Sequence, residues 1–477
     1  MVQPVPLTAE TIAAAAGGQL IEGDRTTPID RLSIDSRAIN PGDLFVAIRG
    51  ERFDGHQFVT AAMAQGALGA IVSAAPAAER SSRPVGIPSS GHPAVLIRVD
   101  DTTRALQAVA QDVRRRSGAR VIAITGSTGK TTTKEVIAEL LATRHRVFRN
   151  KGNLNNHIGL PLSLIELRSG PEIAVVELGM NHAGEIRTLV GIAEPDVRVW
   201  TNVGDAHLGF FESLDAIADA KAEILENARP GDTLVANAND ARVMARARHF
   251  AGRLVTFGIE TAADVQAIDV ERRGLEGTRA RVRTAAGEMT LSTPLLGLGN
   301  LSNVLAATAT ALEIGVPLDM IRERAATLTP ARHRGQLLRL PGGVTLIDDS
   351  YNSSPSALGG ALELLGFAEG CARKVAILGE MLELGAHADR LHDESGRAAA
   401  RAGVDLLITV GGRPARVLAD SAVAAGMSAS SVSHVAATEE AAELALSRVR
   451  PGDLVLVKGS RGIGTDLVVD RLQAEFA

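Results

Sequence analysis

The sequence contains very little cysteine and few aromatic residues. Its 477 residues include one cysteine, Cys371, one tryptophan and one tyrosine, and aromatic residues make up 3% of the chain. A single cysteine excludes an internal disulfide framework and is typical of proteins that work in a reducing cytoplasm. The scarcity of aromatic rings leaves few platforms on which nucleic-acid bases could stack.

The chain also lacks a strong charge of one sign and a long apolar run. Its formal net charge is −5, which gives no reason to expect a nucleic-acid partner. No apolar run is long enough to cross a bilayer, and residues 1–20 lack the basic start and apolar core of a signal peptide. We therefore expect a cytoplasmic protein with no membrane partner, and we expect it to be a monomer.

The most informative stretch is residues 121–133, which read VIAITGSTGKTTT. The apolar start predicts a buried parallel strand. Gly126 and Gly129 allow a tight turn whose backbone N–H groups can face an anion. Lys130 supplies a positive charge for phosphates, and the hydroxyl of Thr131 suits Mg²⁺. The stretch therefore predicts a nucleotide-phosphate loop.

This loop is shorter than the standard Walker A sequence, because Ile124 stands five positions before Gly129 where a glycine is expected. Residues 132–141 are amphipathic and predict a helix whose N-terminus faces the phosphates. The alternative is a glycine-rich turn between a strand and a helix that binds nothing.

The chain is too long for one core, and its pattern predicts three segments: residues 1–102, 103–329 and 330–477. Residues 81–92 are rich in serine, proline and glycine and predict an exposed loop. Strand and helix patterns alternate in the second and third segments, which indicates an α/β fold with parallel sheets. In the third segment the predicted strands are residues 344–349, 374–379, 406–411 and 454–459.

Polar residues follow predicted strands of the second segment. Glu177 ends one apolar run, and His207 follows another. Because ligands bind at the carboxyl ends of strands in α/β sheets, both are candidate ligands, with Thr131, for a hard cation. Residues 215–227 predict a helix that carries Lys221. The alternatives are a surface carboxylate for Glu177 and a structural histidine for His207.

The first segment contains two polar turns beside predicted strands. One includes Ser36 and Arg37, and the other is Asp54-Gly55-His56. Such groups suit a pyrophosphate or a base edge, but taken alone they favour a solvated turn.

Two asparagine-rich stretches are also candidate sites. Residues 150–161 contain four asparagines, including Asn155 and Asn156, and so many neutral donors and acceptors exceed what a turn needs. Asn300 and Asn303 are predicted near the start of an alanine-rich helix. Capping of that helix explains one of them, and the other would be free to contact a ligand.

The motifs together resemble those of the Mur ligases, the ATP-dependent amide-forming enzymes of peptidoglycan precursor synthesis. The resemblance covers essentially the whole chain. It rests on the short loop TGSTGKTT and on the motifs Gly152-Asn-Leu-Asn-Asn156, Ile158-Gly-Leu-Pro161, Glu177-Leu-Gly-Met-Asn181, Asp348-Asp-Ser-Tyr-Asn352 and Lys458-Gly-Ser-Arg461.

The resemblance implies three α/β domains and a reaction. Residues 1–102 would be a small domain that binds UDP-N-acetylmuramoyl-peptide, and residues 103–329 a central parallel-sheet P-loop ATPase domain. Residues 330–477 would be a Rossmann-like domain that binds D-alanyl-D-alanine and closes on ATP. The implied reaction joins D-alanyl-D-alanine to UDP-N-acetylmuramoyl-tripeptide through an acyl phosphate, with ATP and two Mg²⁺ ions.

The resemblance also implies roles for individual residues. The implied catalytic residues are Lys130, Lys221, Glu177, His207 and Arg334. The implied magnesium ligands are Thr131, Glu177, His207 and Lys221, the last as a carbamate. The implied ATP-binding residues are Gly126, Ser127, Thr128, Gly129, Lys130, Thr131, Thr132, Asn300, Asn303, Arg334 and Asp349. The implied substrate-binding residues are Ser36, Arg37, Asp54, Gly55, His56, Asn155, Asn156, Tyr351, Asn352, Lys458, Ser460 and Arg461.

Three positions depart from the family's usual residues: Gly299 replaces a histidine, His157 replaces an acidic residue, and Glu380 replaces an aspartate. Other functions also stay open from the residues. They include a neighbouring ligase, such as the tripeptide-forming Mur enzyme or a folate polyglutamylating enzyme, and a regulatory nucleotide-binding protein. A simple kinase is disfavoured because no His-Arg-Asp catalytic loop is present.

Overall fold

The computed structural model describes residues 4–50, 53–73 and 94–477. The loop predicted for residues 81–92 lies outside the described residues. The chain divides into two compact units. Unit 1 comprises residues up to 123, residues 145–180 and residues 184–196, and unit 2 comprises residues 124–144, 181–183 and 197–477. Within the described ranges, no helix combines the length and the apolar character that crossing a membrane requires.

The described strands form three sheets. In chain order they are β1 (Gln19–Glu22), β2 (Arg31–Ser33), β3 (Asp43–Val46), β4 (Gly69–Ser73), β5 (Val95–Val99), β6 (Arg120–Thr125), β7 (Val147–Arg149), β8 (Ile173–Glu177), β9 (Val197–Trp200), β10 (Thr233–Asn237), β11 (Arg253–Ile259), β12 (Val265–Arg272), β13 (Thr278–Thr284), β14 (Gly287–Thr293), β15 (Gln336–Arg339), β16 (Thr345–Asp349), β17 (Arg373–Gly379), β18 (Leu406–Val410), β19 (Val432–Val435) and β20 (Asp453–Lys458).

The described α-helices lie between these strands. In chain order they are α1 (Ala9–Ala15), α2 (Val59–Ala64), α3 (Thr102–Ser117), α4 (Lys130–Leu141), α5 (Gly159–Ile165), α6 (Glu185–Ala193), α7 (Leu214–Ala222), α8 (Ala241–Ala247), α9 (Gly297–Glu313), α10 (Leu318–Ala325), α11 (Pro355–Phe367), α12 (Ala388–Arg401), α13 (Arg413–Ala424), α14 (Thr438–Arg448) and α15 (Asp466–Glu475).

Unit 1 contains a five-stranded sheet of order β1-β5-β4-β3-β2, which is parallel except for the edge strand β1. Its core contains Phe45 from β3 and Val59 and Ala62 from α2, all buried. Unit 1 also contains the parallel pair β7 and β8. The boundary between the units falls inside β6, between residues 123 and 124.

In unit 2, strands β9, β10, β11 and β12 are parallel neighbours, and β13 and β14 extend this sheet in antiparallel fashion. The last sheet has the order β15-β16-β20-β17-β18-β19 and is parallel except for β15. Its core contains β-branched residues such as Val375, Ile377, Val455 and Val457, because strands covered on both faces need apolar residues throughout.

The predicted α/β class with parallel sheets is therefore confirmed, and two helix boundaries differ. Helix α4 begins at Lys130, two residues before the predicted start, because Gly129 adopts a left-handed conformation at the N-cap. The helix that carries Lys221 ends at Ala222 and continues only as a short 3₁₀ turn, Glu223–Leu225.

Candidate active site

The phosphate loop connects β6 to α4 in unit 2. Gly126 has a φ of +149° and Gly129 a φ of +80°, both backbone conformations that favour glycine. The loop therefore turns sharply at each glycine and leads directly into the first turn of α4. The N-terminal end of a helix carries backbone N–H groups and the positive end of the helix dipole, which suit a phosphate.

The loop backbone is held by residues that follow β9. The amide N–H of Thr128 donates to Asn202 Oδ1 over 2.9 Å, and the Thr201 hydroxyl donates to the Thr128 carbonyl over 2.8 Å. The Ser127 hydroxyl also donates to the Gly204 carbonyl over 3.0 Å. Sequence reasoning did not single out Asn202 or Thr201, because both lie inside the strand predicted for residues 197–203, whereas β9 ends at Trp200.

Of the two asparagines predicted to bind ATP, Asn303 packs against this loop and Asn300 forms a hydrogen bond with Asn303. Asn303 is 8% exposed, and its Oδ1 accepts the Thr133 hydroxyl over 3.2 Å. The Asn300 side-chain amide donates to the Leu296 carbonyl over 2.8 Å, and the Asn303 side-chain amide donates to Asn300 Oδ1 over 3.2 Å. The capping explanation is wrong, because both asparagines lie inside α9 and neither accepts from its terminal N–H groups. Their ATP contacts stay a prediction.

A first prediction concerns Gly129. A Cβ atom added there would lie 2.2 Å from Asn303 Oδ1, and the φ of +80° would be strained for any L-residue. We expect Gly129→Ala to lower the affinity for a fluorescent ATP analogue by about a hundredfold, because Asn303 must move and the loop must then re-form. The affinity is measured by fluorescence titration.

Gly118 provides the matched control. It also has a positive φ, of +63°, but a Cβ added there would meet no atom within 4 Å. Gly118→Ala should cost about 1–2 kcal/mol of stability through backbone strain and leave nucleotide affinity unchanged. Equal affinity in the two variants would contradict the packing argument.

In unit 1, Glu177 lies at the end of β8 and is 5% exposed. Its Oε1 accepts the side-chain amide of Asn155 over 2.9 Å, and its backbone N–H donates to Asn150 Oδ1 over 3.1 Å. Asn150, which sequence reasoning did not select, is 1% exposed. Asn156 instead accepts the N–H groups at the start of α5, so it serves as a helix cap.

Hydrogen bonds hold the side chains of both polar turns of the first segment. Hydrogen bonds from the side chain and the backbone of Arg37 lower the pKa of Asp35 to about 2. His56 Nδ1 lies 2.5 Å from Asp54 Oδ1, while His56 Nε2 accepts the Ser73 N–H over 2.9 Å. His56 therefore shapes its turn with both ring nitrogens. Substrate contacts by Ser36, Gly55 and the other residues of these turns stay a prediction.

His207 and Lys221 lie in unit 2. His207 Nδ1 is 2.7 Å from Glu383 Oε2, and this hydrogen bond lowers the pKa of Glu383 although burial opposes the shift. Lys221 is 1% exposed and lies in the last turn of α7. Glu383, which belongs to the polar stretch 379–385, brings the third segment into contact with the loop of His207.

The third segment gathers most of its predicted site residues. Lys458 Nζ donates to Asp349 Oδ2 over 2.6 Å and to the Asn352 carbonyl over 3.0 Å. The guanidinium carbon of Arg334 lies 4.1 Å from the ring centroid of Tyr351. Two positions after Lys458, the Ser460 hydroxyl accepts the Leu382 N–H over 2.9 Å. Cationic and polar groups therefore stand together at the ends of β16 and β20.

A buried histidine anchors the stretch 379–385. His392 is 0% exposed, its Nδ1 donates to the Ala388 carbonyl over 2.7 Å, and its Nε2 accepts the Met381 N–H over 3.0 Å. Burial lowers the pKa of His392, although the nearby Glu380 and Asp389 act in the opposite direction. The ring is therefore neutral when it holds Met381.

A second prediction follows from this neutral ring. In the unfolded chain His392 has a pKa near 6.5, and in the folded chain its pKa is lower. The contribution of the neutral ring to the free energy of unfolding is therefore complete above about pH 6.5. It is lost as the pH falls through the folded pKa. We expect the urea midpoint to fall between about pH 7.5 and 5.5, and to fall less in His392→Gln. His249→Gln, at an exposed position, should behave like the unmodified chain. An identical fall in His392→Gln and the unmodified chain would disprove the assignment.

A magnesium ion can be bound by protein side chains alone or by a few side chains together with substrate phosphates and water. Among the residues that the structure describes, no cluster of three or more His, Cys, Asp and Glu side chains gathers as an all-protein metal site requires. Mg²⁺, however, is usually held by one or two side chains together with substrate phosphates and water. The hydroxyl of Thr131, in the first turn of the helix behind the phosphate loop, fits that mode.

Three family descriptions match the chain. Residues 28–114 match the Mur ligase family catalytic domain, residues 124–311 match the Mur ligase middle domain, and residues 333–461 match the Mur ligase glutamate ligase domain. Together these matches cover most of the described chain.

Relatives match over nearly the full length. The chain is 34% identical over 466 residues to the UDP-N-acetylmuramoyl-tripeptide–D-alanyl-D-alanine ligase of Bacillus subtilis, with 98% of each chain covered. MurF from Acinetobacter baumannii has a similar structure, with a TM-score of 0.86, 31% identity and coverage of 99% of this chain and 100% of that one. MurF from Thermotoga maritima in complex with ADP gives a TM-score of 0.80, 29% identity and coverage of 94% and 97%.

Proposed function

Because the chain belongs to the Mur ligase family, we propose that it joins D-alanyl-D-alanine to UDP-N-acetylmuramoyl-tripeptide at the expense of ATP. The product is the UDP-linked pentapeptide of peptidoglycan synthesis. The observation that carries the proposal is the phosphate loop, in which glycines with positive φ lead into the N-terminus of α4 beside Lys130.

The reaction has two steps. The terminal carboxylate of the tripeptide attacks the γ-phosphorus of ATP, the bond to the β-phosphate oxygen breaks, and ADP leaves. The amine of D-alanyl-D-alanine then attacks the acyl carbon, loses a proton and expels phosphate. Lys130 and Arg334 stabilise the negative charge of the transferring phosphoryl group. Water must be excluded, since it would hydrolyse the acyl phosphate.

The remaining site residues take roles in this reaction. Asn300, Asn303 and Asp349 contact the adenosine, and Thr131, Glu177, His207 and a carbamylated Lys221 would hold Mg²⁺. Magnesium, when bound, supplies positive charge that neutralises the phosphates. The substrate-binding residues act as the family resemblance implies: the first-segment turns and Asn155 and Asn156 bind the nucleotide-linked peptide, and the third segment binds the dipeptide.

The domain division is part of the same proposal. Residues 1–102 bind the UDP-linked peptide, residues 103–329 bind ATP, and residues 330–477 bind D-alanyl-D-alanine and close on the nucleotide. We place the enzyme in the cytoplasm as a monomer, where its product supports cell-wall growth, cell shape and division.

Phosphate release tests the proposal. With ATP, Mg²⁺ and UDP-N-acetylmuramoyl-tripeptide, we expect sustained release only after D-alanyl-D-alanine is added, together with the pentapeptide nucleotide in the mass spectrum. Release that requires a free amino acid and the UDP-linked dipeptide would indicate the neighbouring ligase. ATP hydrolysis that ignores every peptide would instead support a regulatory nucleotide-binding protein.

A further inference from the structure

The single tyrosine of the chain contacts two arginines. The guanidinium carbon of Arg334 lies 4.1 Å from the ring centroid of Tyr351, and that of Arg461 lies 5.5 Å from the same centroid. Both distances fall within the range in which a cation is attracted to an aromatic face. Two guanidinium groups that come from positions more than a hundred residues apart in the chain thus share one ring.

A hydrogen bond holds the backbone of Tyr351 against that of His333, the residue before Arg334. The Tyr351 N–H donates to the His333 carbonyl over 3.1 Å, and His333 has a φ of +61°. His333 Nδ1 lies 2.8 Å from Asp348 Oδ2, and the Ser350 hydroxyl donates to Asp348 Oδ1 over 2.6 Å. Because His333 directly precedes Arg334, this network sets where the Arg334 side chain leaves the backbone.

The Arg461 side is held more loosely. The Arg461 guanidinium lies 3.2 Å from Asp466 Oδ2, and its side chain is 61% exposed. The exposed guanidinium therefore rests near both the Asp466 carboxylate and the Tyr351 ring. Two like charges near one ring repel each other, and the ring offsets part of that repulsion until anions bind.

We infer that Tyr351 is a positioning residue that couples nucleotide binding at Arg334 to binding of the acceptor carboxylate at Arg461. This inference rests on the proposed function, in which Arg334 stabilises the transferring phosphoryl group and the third segment, which contains Arg461, binds the incoming dipeptide. Guanidinium groups bind both kinds of anion in bidentate fashion. An anion that orders Arg334 against the ring also fixes the ring for Arg461, and the coupling is reciprocal.

The test compares dipeptide affinities by calorimetry in the full chain. D-alanyl-D-alanine is titrated in the presence of UDP-N-acetylmuramoyl-tripeptide, with and without a non-hydrolysable ATP analogue and Mg²⁺. We expect the analogue to tighten dipeptide binding by about tenfold, within the usual range of coupling between sites. Tyr351→Phe, which keeps the ring, should retain this ratio, whereas Tyr351→Leu should reduce it to about one, as loss of the coupling requires.

A merely structural tyrosine gives a different result. It would lower both affinities or the melting temperature in Tyr351→Leu and leave the ratio intact, which overturns the inference. Loss of the ratio in Tyr351→Phe as well would assign the effect to the hydroxyl and also overturns it, as does a ratio of one in the unmodified chain. Failure of the proposed function is recognised separately, because the unmodified chain would then form no amide product.

The single tyrosine also provides a spectroscopic test. Nucleotide alone and dipeptide alone should each perturb the ultraviolet difference spectrum of the unmodified chain, and the tyrosine part of both signals should be absent in Tyr351→Phe. A tyrosine signal that responds to one ligand only would contradict a shared ring.

Discussion

We expect Lys130→Ala to lower kcat for amide formation by about 10³-fold, since a preorganised cation at a transferring phosphoryl group contributes about this much. Lys130 begins α4, and its Nζ donates to the Gly126 carbonyl over 2.9 Å. Its ammonium is thus held at the loop that is predicted to bind the phosphates. Lys130→Arg keeps the charge but changes a compact ammonium into a planar fork, so it should recover only part of the rate.

Lys374 supplies the control for the Lys130 prediction. Its Nζ also donates to a backbone carbonyl, that of Gly366, over 2.6 Å. Lys374→Ala therefore removes the same kind of hydrogen bond far from the phosphate loop in sequence. Its kcat should stay within about twofold of the unmodified chain because Lys374, half-buried in β17, lies outside the predicted site. The rates come from phosphate release under saturating substrates. A Lys130→Ala enzyme within tenfold of the unmodified rate would exclude the phosphate role.

The strand before the phosphate loop, the loop itself and the helix after it could be predicted, because each has a characteristic local sequence pattern. The apolar run before Gly126 and the amphipathic run after Lys130 report β6 and α4 from their own residues. The same holds for the four parallel strands of the third segment. The observed helix boundaries differ from the predicted ones where a single residue sets the end of the helix, as Gly129 does at the start of α4.

The partners of the site residues could not be predicted in this way. Asn202 holds Thr128 from 74 positions away, and which polar group meets the loop depends on how β9 is placed in the sheet. Sequence periodicity gives the face of a side chain but not the neighbour across it. The contact of Glu383 with His207 is a similar case, since 176 positions separate the two residues.

Asparagine was the residue type most difficult to interpret. Asn155, Asn156 and Asn303 share the same functional groups, yet one contacts Glu177, one caps α5 and one packs under the phosphate loop. An amide both donates and accepts, so its role is set by the surroundings rather than by its own chemistry.

Replacing Lys221 by alanine should lower kcat by about 10³-fold, comparable with the loss of a major charge-stabilising group. Lys221 is 1% exposed. The family resemblance implies a carbamate at this position. Reaction of the neutral amine with carbon dioxide would form it and release one proton, and the carbamate oxygens would then serve as metal ligands. We expect activity to fall in buffers depleted of carbon dioxide and to return when bicarbonate is added.

Two variants separate a carbamate from a plain cation at position 221. Lys221→Ala leaves room for a small carboxylate, so acetate or formate should restore part of its activity, because the added oxygen atoms replace those of the carbamate. Lys221→Arg keeps the positive charge, cannot form the carbamate and should stay inactive with or without acetate. If Lys221→Arg retains activity, the position needs only positive charge; if neither acetate nor bicarbonate changes any rate, the oxygen ligand is absent. Rescue of alanine but not of arginine is the pattern that a carbamylated Lys221 requires.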